Sequence, residues 1–533
     1  MHREMPRRWG IGVFILTLVM LLPGMNQGDA QNRDAELDLL KQQVEELRRQ
    51  EIERQRQIEA LQRKIEQLQA QPIPEKPAEP PASALDKAIQ ELPPTPAQPK
   101  TPTQPPTTQP SLLSRRVGGA NFRLIDISAD LLIAAGGSSE NDDDVQNLQA
   151  GAHDPNRNGF TLQQLELSLL GAVDPYFTGE AHLIFSINAD GETVTEIEEA
   201  FATTQNLPNG LEVEAGLSFT EFGLINPAHP HAWDWIDQPI INSRVFGGDG
   251  MRQVGVRVGW LAPLPWFSQF HVGVQNANGE TMPSFNNAFE VGGGHGHGDG
   301  EAEEEEEEVV GQRPFVERDV NGPEDLVYLL RWENSWDLNP TVTTKLGFSS
   351  LFGPNASGPD GRTIIAGTDL KMTWRPANNF RGWPFLKWQS ELIWRHYKAD
   401  DFVAEEEEEG EGHDEEEEEE EEAHGHESLE SDTLNDWGLY TQLLYGFHYR
   451  WVTGLRFEYA DASGPNAEEP RDQDPFRDQR FRLSPLLAFH PTEFSRLRLQ
   501  YNYDWAEHLD GNDAHSVWLG LEVLLGAHPA HKY

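Results

Sequence analysis

The sequence predicts an all-β protein: a transmembrane antiparallel up-and-down β-barrel of about sixteen strands, preceded by a signal peptide, a coiled-coil helix and a Pro-rich linker. Three observations carry this. From about Asn121 onward, apolar and polar residues alternate in segments of about ten residues, the length a tilted strand needs to cross a bilayer. Tight turns alternate with mostly long connections along the same stretch. Tryptophans gather near the expected strand ends and turns.

Composition removes several classes. The chain of 533 residues has no cysteine, which excludes a disulfide scaffold, a thiolate metal site and a Cys nucleophile. Its formal net charge of −48 is the wrong sign for a nucleic-acid partner. After residue 30 no run of about 18 apolar residues occurs, so no transmembrane helix is expected.

Residues 1–30 have the pattern of a secretory signal peptide. Arg3, Arg7 and Arg8 precede an apolar run from Ile11 to Leu22, and Gly28-Asp29-Ala30 supplies small residues for cleavage. An uncleaved anchor is the alternative, for which the apolar run is short. Over residues 31–70, Leu37, Val44, Ile58 and Ile65 occupy one heptad core position, and Leu40, Leu47, Leu61 and Leu68 the other. Glu51 and Arg54 interrupt this seam. The pattern predicts a coiled coil, or failing that a solvated single helix. Residues 71–118 are dominated by a tract rich in Pro, Thr, Gln and Ala, which cannot build a core and is expected to be an extended periplasmic linker.

The barrel is expected over 119–533. Gln164-Leu165-Glu166-Leu167-Ser168-Leu169 alternates strictly. Val254, Val256, Val258 and Trp260 oppose Gly255 and Arg257, and Val517, Leu519, Leu521, Val523 and Leu525 line one face near the end. Such segments are expected to begin near 122, 161, 177, 194, 211, 251, 268, 326, 341, 363, 385, 434, 449, 478, 494 and 515. An even count returns the chain to its starting side. Every second connection is tight, as at Asp174-Pro175-Tyr176 and Asp337-Leu338-Asn339-Pro340, whereas 135–160, 223–250, 279–325, 399–433 and 462–477 are long. With a periplasmic N-terminus, all the long connections fall outside the cell. Trp260, Trp266, Trp332, Trp336, Trp374, Trp383, Trp388, Trp394, Trp437 and Trp451 are expected to contribute to a girdle at the water–lipid boundary. The terminal Tyr533 suits a client of the outer-membrane barrel assembly machinery.

Connection 223–250 is too rich in Trp, Ile and paired charge to dangle in solvent. Folded inward, it would place His229, His231, Asp234, Asp237, Arg244 and Arg252 at a pore constriction. The alternative is that it caps the barrel or packs on a neighbouring subunit.

The segments His229-Pro230-His231-Ala232-Trp233-Asp234-Trp235-Ile236-Asp237-Gln238-Pro239 and Gly273-Val274-Gln275-Asn276-Ala277-Asn278-Gly279-Glu280 carry a family likeness. With the preceding coiled coil, residues 120–533 resemble the phosphate-selective (O/P-type) porins. They are closer still to zinc-regulated outer-membrane proteins with Glu/His-rich loops and a tail like Gly526-Ala527-His528-Pro529-Ala530-His531. The chain departs from the first group in lacking a dense basic cluster to hold phosphate. It also lacks the globular plug of TonB-dependent transporters, because 71–110 is too Pro-rich to form one.

Two connections, 279–325 and 399–433, hold most of the excess charge. One contains His295-Gly296-His297-Gly298-Asp299 before a run of Glu; the other contains His413 within a Glu run and ends His424-Gly425-His426. Like-charge blocks are usually solvated and self-repelling. Imidazoles spaced by one glycine among carboxylates also suit weak, exchangeable Zn²⁺, with His295, His297, Asp299, His413, His424 and His426 as candidate ligands. No cofactor is required.

No catalytic constellation is present, and the chain is not expected to be an enzyme. The expected function is an outer-membrane channel for passive or facilitated diffusion of small solutes or ions, zinc-linked through its loops. Outer-membrane lipid, a homotrimeric assembly and divalent metal ions are its expected partners. A barrel-anchored surface metal-binding or adhesive protein, and a tether from outer membrane to cell wall, are the competing readings.

Overall fold

The structure, a computed structural model, describes residues 114–117, 120–123, 125–172, 174–188, 191–288, 308–403 and 428–526. The signal peptide, coiled coil and most of the linker lie outside the described residues, as do His295, His297, Asp299, His413, His424, His426 and the tail beyond Gly526.

Sixteen strands close into one barrel, with sequence neighbours paired antiparallel throughout. They are β1 (Asp126–Ser138), β2 (Gly159–Ala172), β3 (Phe177–Ile187), β4 (Thr193–Thr204), β5 (Leu211–Phe219) and β6 (Arg252–Leu261). Next come β7 (Phe267–Asn276), β8 (Leu326–Asn339), β9 (Val342–Pro354), β10 (Arg362–Trp374) and β11 (Phe385–Ala399). The last five are β12 (Asp432–His448), β13 (Trp451–Ser463), β14 (Arg480–Thr492), β15 (Ser495–Ala506) and β16 (Asp513–Gly526). Closure is made by β16 on β1, from Ser516 opposite Ser138 to Gly526 opposite Ser128, which leaves no open edge in the barrel.

Burial along the strands is inverted relative to a water-soluble sandwich. On β6, Val254, Val256, Val258 and Trp260 are exposed, while Arg252 is buried. On β16, Val517, Leu519 and Leu521 are exposed, while Glu522 is buried. Period-two alternation therefore puts apolar side chains outside and ionisable ones in the lumen, the arrangement a bilayer imposes on a polar-cored barrel. Aromatic rings pair in register across the outer face: Trp260 with Phe270, Phe270 with Trp332, and Trp332 with Phe348, at centroid spacings of 5.8, 5.6 and 6.0 Å. Trp383 does not join this band. It is buried against Phe385 and Tyr449, because the turn 375–384 folds back over the strand ends.

The first expected strand divides in two. Ala120–Arg123 pairs with Ser114–Val117 in a separate hairpin, and the barrel begins at Asp126. Ser114–Val117 is thus a strand inside the expected linker.

Two long connections carry helices. In the first, α1 (Asp142–Leu148) is capped by Asn141, whose side chain accepts from the amides of Asp143 and Asp144, and three aspartates fill its first turn. The second, running from β5 to β6, carries α2 (Ile240–Phe246), which ends at Gly247 with φ of 81°. No helix among the described residues is long and apolar enough to cross a membrane.

Candidate lumenal site

The connection between β5 and β6 folds inward and crosses the lumen. Phe222, Ile241, Val245, Phe246 and Met251 form one apolar cluster with Val327, Leu351, Ile365 and Ile393 of the wall. Trp235 joins another with Phe385, Leu444, Val452 and Leu486. The wall makes room where the connection approaches most closely. A Cβ at Gly454 would lie 2.9 Å from the Trp235 ring, and one at Gly438 would lie 2.9 Å from Ile241.

Polar contacts fix its far end. Trp235 Nε1 donates to the Ser484 carbonyl at 3.0 Å, and Arg456 stands over the Trp235 ring. Asp237 is clasped by Arg456, by Arg482 at 3.0 Å and by the Gln500 amide at 2.8 Å. Burial pushes the Asp237 carboxyl up, but the two guanidiniums outweigh it and hold the group below its ordinary range. The Leu148 carbonyl accepts from Arg480 and Arg482, both at 2.6 Å, so the end of α1 is tied to the same wall.

The six residues expected at a constriction all lie on or beside this inward connection, but in five separate settings. Asp237 sits in the arginine clasp. Asp234 meets Lys387 Nζ at 2.6 Å. Arg244 pairs with Asp478 and donates to the Asp478 carbonyl at 2.7 Å, tying α2 to the connection before β14. Arg252 pairs with Glu196 on β4. Only His229 and His231 come together, with ring centroids 5.4 Å apart.

Those two histidines enter a cluster that strand alternation alone does not reveal. Glu166 on β2 is fully buried and receives three imidazoles: His182 Nδ1 at 2.9 Å, His231 Nδ1 at 3.0 Å and His229 Nδ1 at 3.4 Å. His229 also reaches Glu198 at 2.9 Å through Nδ1 and Glu199 at 2.9 Å through Nε2. Asp130 on β1 lies 3.2 Å from His231 Nδ1. Pro230 opens a short 3₁₀ turn between the two histidines, which restricts how their backbone can move. For His229, burial alone would lower the pKa; Glu198, Glu166 and Glu199 outweigh it and raise it well above the ordinary value.

Two register irregularities build the wall of this cluster. Between β3 and β4, His182 faces Glu199 while Leu183 faces Ile197, so Glu198 is the extra residue of a bulge. As a result Glu198 and Glu199 are both buried, where strict alternation would send one to the lipid face. Between β1 and β2 the register skips Gln163 in the same way, and Gln163 and Gln164 are both buried. Two sets of side chains bring their ligand-type atoms within 4.8 Å of one another: Glu166, His182 and His229, and Asp130, Glu166 and His231. An open apolar groove beside Leu170, Ala181 and Phe201 shares no lining residue with the cluster.

No family model matches the sequence. A protein of Aquifex aeolicus (strain VF5), described as uncharacterized, is 27% identical over 439 residues, which cover 77% of this chain and 80% of that one. Among solved structures, the outer membrane channel DcaP of Acinetobacter baumannii is similar over 75% of this chain and 97% of its own, at 9% identity and a TM-score of 0.46. OprB of Pseudomonas putida is similar over 75% of this chain and 94% of its own, at 11% identity and a TM-score of 0.40.

Proposed function

We propose that the chain is an outer-membrane channel of porin kind, passing small solutes or ions by passive or facilitated diffusion through a lumen narrowed by the connection 220–251. One observation carries this reading: the closed barrel is apolar outside and carries many buried ionisable side chains inside, so it offers a bilayer no unpaired backbone and has a partly polar interior. The inward connection supplies the narrowing, with His229, His231, Asp234, Asp237, Arg244 and Arg252 on or beside it. The acidic connections 279–325 and 399–433 would enrich cations at the mouth, and their histidines would hold Zn²⁺ weakly and exchangeably. Within this proposal the chain is of the zinc-regulated group with Glu/His-rich loops, a reading supported by the His-Gly-His pairs in the two acidic connections. Assembly as a homotrimer through the barrel machinery, with the coiled coil and linker in the periplasm, completes the proposal.

The dense packing of the inward connection favours a second reading, in which the barrel is chiefly an anchor for a surface metal-binding or adhesive protein, or for a tether to the cell wall. Planar-bilayer recording of the purified protein, with and without micromolar Zn²⁺ on the external side, separates the two. Stable cation-selective steps are expected. Absence of steps overturns the channel reading in favour of the anchor.

A further inference from the structure

We infer that the cluster of Glu166, His182 and His229, flanked by Asp130, Glu198 and His231, is a binding site for a first-row divalent cation of the zinc type, inside the lumen and separate from the histidines of the outer loops.

The donor set is the first reason. Three imidazole Nδ1 atoms converge on one carboxylate, 2.9 to 3.4 Å from its oxygens. A tetrahedral zinc with bonds of about 2.0–2.2 Å separates neighbouring ligand atoms by roughly 3.3–3.6 Å, and the ligand atoms of Glu166, His182 and His229 all lie within 4.8 Å of one another. Mixed imidazole and carboxylate donors favour zinc and its neighbours over Mg²⁺ or Ca²⁺, which take oxygen ligands.

Unbalanced charge is the second reason. Asp130, Glu166, Glu198 and Glu199 are all buried, and the nearest groups of opposite tendency are histidines. Beyond close contacts with a single imidazole each, 2.9 Å for Glu198 and 3.2 Å for Asp130, the buried oxygens of these two carboxylates have no hydrogen-bond partner. Buried carboxylates in that condition are costly unless paired or coordinated to a metal. The bulge at Glu198 brings two successive glutamates onto the same imidazole, His229.

Position is the third reason. His182 belongs to β3, Glu166 to β2, and His229 to the inward connection. An ion held by these three would join the connection to the barrel wall, beside the path of the proposed channel. The inference deepens that reading, but a cation site in the lumen stands whether or not the barrel conducts.

The test must silence the outer loops. Full-length protein carrying H295S, H297S, H413S, H424S and H426S is stripped with chelator and titrated calorimetrically with Zn²⁺ and with Mg²⁺, and X-ray absorption is recorded on the zinc-loaded form. One Zn²⁺ per chain, held well above Mg²⁺, with nitrogen and oxygen neighbours at about 2.0–2.1 Å, is expected. H229A in the same background is expected to weaken zinc by at least a hundredfold. E198Q, which removes a buried charge and keeps the side-chain shape, is expected to weaken it about ten- to a hundredfold. Heat-modifiable electrophoretic migration checks that each barrel is folded, and if H229A fails that check, E198Q carries the decision. Zinc held no better than Mg²⁺, or held equally by the parent and a folded variant, overturns the inference. Bilayer steps recorded on the same zinc-free preparation report on the channel reading separately.

Discussion

On the wall formed by β13–β16, Arg456, Arg480, Arg482, Arg496 and Arg498 meet Asp237, Glu458, Asp504 and Glu522 in ion pairs. On the neighbouring wall formed by β1–β4, the ion-pair contacts of Asp130, Glu166, Glu198 and Glu199 are with His182, His229 and His231. Both sets are buried, and the same inward connection serves both, through Asp237 on one side and His229 and His231 on the other. The arginine wall is close to charge balance, and its guanidiniums are directed at carboxylates and loop carbonyls. It is a fastening. On the acidic wall these four carboxylates have imidazoles rather than guanidiniums as ion-pair partners, and part of their ligand capacity is unused. The difference teaches that burying charge does not by itself mark a functional site; what separates the two walls is whether the charges cancel within the chain.

The sharpest way to break this contrast is Asp237→Ala. It leaves Arg456 and Arg482 buried without their loop partner, and should cost about 3–5 kcal/mol. Thermal unfolding in detergent would register this as a lower melting point, and conductance should rise as the connection loosens. Arg244→Ala should cost less, roughly 1–3 kcal/mol, because Asp478 keeps its contact with His508 Nδ1 at 2.9 Å. Its readout is the same melting curve, accompanied by noisier channel steps from a less firmly held α2.

On the acidic wall the sign should reverse. Glu198→Gln in chelator-treated protein removes a buried charge whose oxygens lack a good donor, so stability should stay level or rise by up to about 1 kcal/mol. A clear drop in melting temperature would place Glu198 among the fastening groups and erase the distinction between the walls.

The smallest expected effect is that of mild acid on the fastening. Asp237 titrates below the ordinary carboxylate range in the folded protein, whereas the unfolded group titrates near about 3.9. Its contribution to stability is therefore fully present above the unfolded value and is lost only as pH falls through the lower folded value. Melting of the Asp237→Ala variant and the parent, compared from pH 8 to pH 5, should show a constant difference; that difference should shrink only below about pH 4.

Much of the barrel was legible because lipid and lumen impose opposite demands on successive residues. The segments expected from 161, 177, 211, 326 and 385 begin in the structure at Gly159, Phe177, Leu211, Leu326 and Phe385. Alternation on β6 correctly assigned Val254, Val256 and Val258 to one face and Arg257 to the other. Trp383 shows the limit of reading a girdle from position, since a turn that folds back buries it. The candidate site was less legible. His229 and His231 stood out because they lie in a long connection rich in Trp, Ile and paired charge, but Glu166, Glu198 and Glu199 are three among 89 acidic residues. The bulge that turns Glu198 inward is a register event between two strands, set by packing across the sheet, and leaves no mark in either strand's own pattern. The six expected constriction residues lie on or beside the inward connection; their separation into five settings depends on distant partners such as Lys387, Arg456 and Asp478, which local sequence does not pair.

The most direct measurement is single-channel recording of the full chain beside a variant in which residues 226–249 are replaced by a short Gly-Ser segment, with both checked for folded-barrel migration. If the lumen is a conduction path narrowed by this connection, the parent should give small cation-selective steps and the variant steps several-fold larger with weaker selectivity. Equal steps from both would contradict the narrowing, and no steps from either folded protein would contradict the channel itself.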